Sequence, residues 1–118
     1  MADQPYVVIA GCGKVGEKIV SMLYSEGFLI AVIDKNADRI NDLVNQYDIR
    51  GIVANGASEE ALEDAEIKNA DMFIAVSKSD ELNLLCCTLV KAIKDIPTVA
   101  RVRTPVYTES LHLLKQAL

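Results

Sequence analysis

Gly11-Cys12-Gly13-Lys14-Val15-Gly16 is a G-x-G-x-x-G run between a short apolar stretch and a segment of helical periodicity. In that setting the three glycines have separate tasks. Gly11 permits a tight turn, Gly13 removes a Cβ so that a diphosphate can approach the backbone, and Gly16 lets the helix lie close to a sheet. The opening helix presents free N–H groups and a partial positive charge to an anion. Without a ligand, the same run is only a tight strand-to-helix turn. Cys12 sits where a helix N-terminus can lower a thiol pKa; its plainer reading is a small residue in a tight turn.

Further along, each apolar run ends in residues of similar promise. Asp34 closes the second run, near the separation of about 20 residues at which a carboxylate accepts hydrogen bonds from ribose hydroxyls. Its charge disfavours a 2′-phosphate, although Lys35 beside it weakens that discrimination. Arg39, on the next helix, can reach an adenosine or solvent. Asn55-Gly56-Ala57 follow the third run. Asn55 offers both a donor and an acceptor to an adenine edge, or, with Ser58, caps a helix. Val76 closes the fourth run, and Ser77-Lys78-Ser79-Asp80-Glu81 follow it. They can meet terminal phosphates or the second half of a dinucleotide, or form a capping turn. Arg101 lies near the end of the fifth run. With Lys14 it could respond to the number of phosphates, or it could pair with a surface carboxylate.

These residues need a frame to bring them together. Strands are expected over residues 6–10, 29–34, 50–54, 72–76 and 98–102, as continuous apolar runs suited to a sheet covered on both faces. Helical spacing recurs between them. Val15, Ile19, Met22 and Leu23 form one stripe, closed by Gly27. Ile40, Leu43, Val44 and Tyr47 form another, and Ser58 caps a short third helix. The fourth helix, near residues 80–94, is apolar almost all round and is expected to be buried on more than one side. Thr104 as cap and Pro105 in the first turn start a last helix running to Leu118. Its stripe of Tyr107, Leu111, Leu114 and Leu118 predicts self-association. Strand–helix alternation gives an α/β fold with a parallel, doubly wound, Rossmann-like sheet in the order 3-2-1-4-5. Residues 1–118 are expected to form one domain.

Composition bounds the remaining possibilities. The 118 residues are 51% apolar and 25% charged, with a net charge of −5. That suits a folded core and argues against disorder. An acidic chain without a Lys/Arg cluster and without Trp is a poor nucleic-acid binder. The three cysteines, Cys12, Cys86 and Cys87, and the single His112 have no metal-ligand spacing. No run reaches the ~20 apolar residues of a spanning helix, and Met1–Pro5 lacks signal-peptide character, so a cytoplasmic location is expected.

Five segments, GCGKVG, VIDKNADRI, IVANGASEEALEDAEI, ADMFIAVSKSDELN and PTVARVRTPVY, resemble the N-terminal domain of TrkA-type potassium transport regulators, the RCK or KTN module. The resemblance runs from about Tyr6 to Leu118. It implies a non-catalytic regulatory domain that binds NAD(H), ATP or ADP, dimerises or joins a larger ring, and acts on a membrane potassium transporter or channel at the inner membrane. It assigns the nucleotide to Gly11, Gly13, Gly16 and Asp34, and puts Lys14 near terminal phosphates. Ala54 and Asn55 stand where the family often has Gly-Asp. Family members continue into another strand, another helix and a C-terminal ligand domain, so this chain reads as a fragment or a minimal version. A small NAD-dependent oxidoreductase module is the alternative. Against it, no substrate domain and no evident acid–base residue facing a nicotinamide can be read from the sequence.

Overall fold

The computed structural model describes residues 4–113. Five parallel strands, β1 (Tyr6–Ala10), β2 (Leu29–Asp34), β3 (Arg50–Val53), β4 (Met72–Ala75) and β5 (Thr98–Ala100), lie in the order β3-β2-β1-β4-β5. The expected order is therefore the observed one, and the switch point falls between β1 and β4. In the register, Ala10 stands opposite Ile33 on one side and Ala75 on the other. Single backbone bonds carry the ladder just past the strand ends: Gly11 N–H to Ile33 O (2.8 Å), Val76 N–H to Ala10 O (2.8 Å), Ala54 N–H to Asp34 O (3.1 Å) and Arg101 N–H to Ala75 O (2.9 Å). Four loops are thereby fixed side by side along one edge of the sheet.

Helices cover both faces. One core joins Val7, Ile9, Val32 and Ile74 to Val20 of α1 (Lys14–Ser25) and to Ile40 and Leu43 of α2 (Ala37–Gln46). The other joins Val8, Ile33 and Phe73 to Leu62 of α3 (Glu59–Asp64), Ile67 of a 3-10 turn (Ile67–Asn69), and Cys86, Cys87 and Val90 of α4 (Asp80–Ile93). Asn36, Ser58 and Ser79 each cap their helix by accepting a backbone N–H, from Arg39, Ala61 and Leu82. Gly27, at φ +88°, turns the chain out of α1, and Phe28 N–H bonds to Leu23 O at 3.0 Å. This is the bond pattern of a glycine-terminated helix.

Four expectations need correction. Met22 is 64% exposed, because α1 turns Gly16 and Val20 inward and leaves position 22 outside. Helix α4 buries one face only: Leu85 is 54% exposed and Val99 of the adjoining edge strand 47%. The last helix is not continuous: α5 spans Pro105–Glu109, Ser110 is a turn, and residues 111–113 are helical again. Thr104 does not cap α5 with its side chain; its hydroxyl donates to Asp80 instead. Leu114 and Leu118 of the expected stripe lie outside the described residues.

Candidate functional site

Across the switch point, at the C-terminal ends of the strands, lies a cleft of about 660 Å3. Its floor is the glycine turn. Gly11 has φ +107°, and a Cβ there would stand 2.7 Å from Ser77 N, so only glycine lets the turn nest against the end of β4. A Cβ on Gly16 would stand 2.0 Å from Gly11 O. The close approach bought by Gly16 is thus against the turn itself, with Val76 next, rather than against the sheet at large. A Cβ on Gly13 would meet only Arg39 Nη1, at 3.7 Å. Gly13 faces open space and gives α1 no side-chain cap, so the first amides of α1 lack intrahelical acceptors at the cleft.

Asp34 links the turn to β2. Its Oδ2 accepts from Cys12 N–H at 2.9 Å and its Oδ1 from Asn36 N–H at 2.8 Å. An ionised carboxylate has about four acceptor positions, so two protein bonds leave each oxygen able to accept another. Partial burial pushes the Asp34 carboxyl up. Hydrogen bonds from the Asn36 amide and from Cys12, with the nearby Arg39 guanidinium, outweigh that and hold it below its ordinary value. Cys12 goes the other way. Burial first, then the Asp34 charge, push its thiol up to about 12, so no activated thiolate sits at this helix N-terminus. Cys86 and Cys87, buried in the opposite core, are pushed up to about 11.

The remaining expected residues divide clearly. Gly11, Cys12, Gly13, Lys14, Val15, Asp34, Lys35, Arg39, Asn55, Gly56, Val76, Ser77, Lys78 and Arg101 line the cleft. Gly16, Ala57 and Glu81 do not. Gly16 lies beneath the turn. Ala57 donates its N–H to Asn55 Oδ1 at 2.9 Å, closing a turn at the cleft mouth. Glu81 lies at a smaller hollow beside Asp80, Arg103 and Pro105, where it accepts from Tyr107 Oη at 2.8 Å. That bond holds the Glu81 carboxyl low.

Sequence reasoning missed Glu17, Asp42, Asn83 and Arg103, all of which line the cleft. Six cations (Lys14, Lys35, Arg39, Lys78, Arg101, Arg103) and three carboxylates (Glu17, Asp34, Asp42) face it, in a chain whose net charge is −5. The cleft is thus net positive. Such an arrangement attracts a polyanion and presents backbone donors to it. Among the described residues no group of His, Cys, Asp and Glu could hold a metal ion, and no helix is long and apolar enough to cross a membrane.

Comparison with known proteins follows the same lines. The family model of the TrkA-N domain matches residues 7–117. The chain is 38% identical over 104 residues to the Trk system potassium uptake protein TrkA of Azorhizobium caulinodans, covering 87% of this chain and 23% of that protein. It spans between about a fifth and a half of the curated relatives it matches. In fold it is similar to the TrkA-N domain of the inner membrane protein YbaL from Escherichia coli (TM-score 0.84, 19% identity, 99% of this chain and 84% of that one). It is also similar to the GsuK channel bound to NAD (TM-score 0.79, 23% identity, 95% and 20%) and to GsuK bound to ADP (0.78, 23%, 95% and 30%). The glycine turn, the acidic end of β2 and the 3-2-1-4-5 sheet thus belong to a chain that is a member of the TrkA-N domain family.

Proposed function

We propose that this chain is a nucleotide-sensing regulatory module of a potassium transport system, with NAD(H), ATP or ADP held in the cleft. One observation carries the reading: a net positive cleft in an acidic chain, floored by a glycine turn and an uncapped helix N-terminus, with Asp34 at its side. The diphosphate would lie over Gly13, within reach of the first amides of α1. The ribose would hydrogen-bond to Asp34, and the adenine would sit toward Asn55 and Gly56. Lys14, Lys78 and Arg101 would face the terminal phosphates or the second half of a dinucleotide. Arg39 and Lys35 would flank the ribose end, while Gly16 would pack beneath the glycine turn, Ala57 would brace Asn55, and Glu81 would stand outside the cleft.

The related TrkA proteins are named for potassium uptake, and a GsuK channel of this fold binds NAD and ADP. Both support a cytoplasmic module acting on a membrane transporter or channel subunit, as a homodimer or within a larger ring. The relatives are named for potassium uptake and for a channel rather than for a reaction, which favours regulation over hydride transfer. A nucleotide moves such a module only by binding one conformation more tightly than another.

Titration of the purified chain with NAD, NADH, ADP and ATP tests the reading. Saturable binding of at least one is expected, as is its recovery from the freshly purified protein by mass spectrometry. Failure of all four to bind would overturn it.

A further inference from the structure

The chain leaving β5 is held to the domain in an unusual way. Strand β5 is three residues long and pairs with β4 alone. After Arg101 N–H has bonded to Ala75 O at 2.9 Å, two side chains from the start of α4 take over. Asn83, 1% exposed, donates from Nδ2 to Arg101 O at 2.9 Å and to Ser77 O at 3.0 Å. Its Oδ1 accepts from Ser77 N–H at 2.9 Å and Ser77 Oγ at 2.7 Å. All four hydrogen-bonding positions of the amide are used. Asp80, also buried, accepts from Arg103 N–H at 3.1 Å, from Thr104 N–H at 2.7 Å and from the Thr104 hydroxyl.

Among the residues whose backbones are gripped, Arg101 and Arg103 both line the cleft. Ser77 lines it too, but its N–H and hydroxyl are given to Asn83 rather than offered outward. The β4–β5 side of the cleft is left to present charged side chains, with the buried Asn83 amide anchoring the backbone of Arg101 and the buried Asp80 carboxylate that of Arg103. Cations held in place before a ligand arrives lose less freedom on binding than cations on a loose loop.

We infer that Asn83 and Asp80 are positioning residues that set Arg101 and Arg103, respectively, over the cleft and thereby govern how strongly the site favours ligands with more phosphates. This rests on the nucleotide reading of the cleft. A fully satisfied buried amide would by itself be a core-stabilising device, so the test must separate that role from positioning.

The test is calorimetric affinity for ATP and AMP in wild type, Asn83→Ala, the pair Arg101→Gln with Arg103→Gln, and all three combined. Wild type is expected to prefer ATP. Asn83→Ala should cut the ATP/AMP affinity ratio about tenfold, the scale of a hydrogen bond to a charged group. In the background lacking both arginines, adding Asn83→Ala should leave the ratio unchanged. A lowered Tm with an unchanged ratio would overturn the proposal, as would a fall in ratio that persists without the arginines, or a wild type that binds AMP as tightly as ATP. If Asn83→Ala does not fold, Asp80→Asn, which keeps the shape and an acceptor oxygen, loosens the same exit; the proposal requires the same pattern from it, and an unchanged ratio sinks the proposal. Wild type binding neither ATP, AMP nor NAD would instead bring down the nucleotide reading, and this inference with it.

Discussion

Asp34 is shared between the fold and the proposed ligand. Its two oxygens already accept the Cys12 and Asn36 amides, so it orders the turn before anything binds. Asp34→Ala should weaken ADP or NAD binding by about 1–3 kcal/mol, the scale for hydrogen bonds to charged groups, and calorimetry checks this. The pH dependence has a definite sign. The folded-state pKa is held below the ordinary 3.8, so the carboxylate's contribution to stability is fully present above that value. It is lost only as pH falls through the lower folded value. Affinity for ADP should likewise show no Asp34-dependent loss between neutral pH and the ordinary carboxylate range; an Asp34-dependent step near pH 6 would contradict the assignment. Asp34 was legible in the sequence because its place follows from chain-local geometry, one helix and one strand beyond the glycines. Asn83 and Asp80 were not legible as anchors. Their partners lie 18 and 24 residues away, and nothing local in an apolar-looking helix marks them as gripping a neighbouring strand's exit.

At the scale of the element, the glycine turn divides its residues between folding and binding. Gly16→Ala would drive a methyl against Gly11 O. Overpacking of this kind costs about 1–3 kcal/mol, and the melting temperature should fall by about 4 °C or more for each. Gly13 has ordinary extended backbone (φ −72°, ψ −162°) and free space in front of it. Gly13→Ala should therefore cost less than about 1 kcal/mol of stability, yet reduce ADP affinity about tenfold or more by standing between diphosphate and backbone. Thermal melts and calorimetry on the two variants give opposite rankings if this division is right, and the same ranking if both glycines serve only the fold. Strand and helix positions were readable because continuous apolar runs alternate with period-3.6 stripes, and the strand order followed from right-handed crossovers in a doubly wound sheet. The break at Ser110 was not, since Tyr107 and Leu111 keep helical spacing across it. Nor was the exposure of Leu85: an all-apolar helix tells of burial but not of what does the burying.

For the molecule as a whole, two surfaces stand out. One is the positive cleft in an acidic chain. The other is the exposed apolar set Leu85, Val99, Val106 and Leu113, with exposures of 54%, 47%, 59% and 59%, on α4, β5 and the segment that follows them. Apolar surface left in water at a sheet edge favours a two-fold pair. Sedimentation should find a dimer or larger species at micromolar concentration; a monomer at high micromolar concentration would remove self-association from the account. The central claim is the nucleotide in the cleft, and backbone amide NMR during titration with ADP tests it most directly. The account predicts saturable shifts at Gly11–Gly16, Asp34–Arg39, Asn55–Ala57 and Val76–Lys78, with the opposite edge of the sheet, around Leu29 and Asp71, unmoved. Shifts confined to that opposite edge, or none with ADP, ATP, NAD or NADH at millimolar concentration, would contradict it.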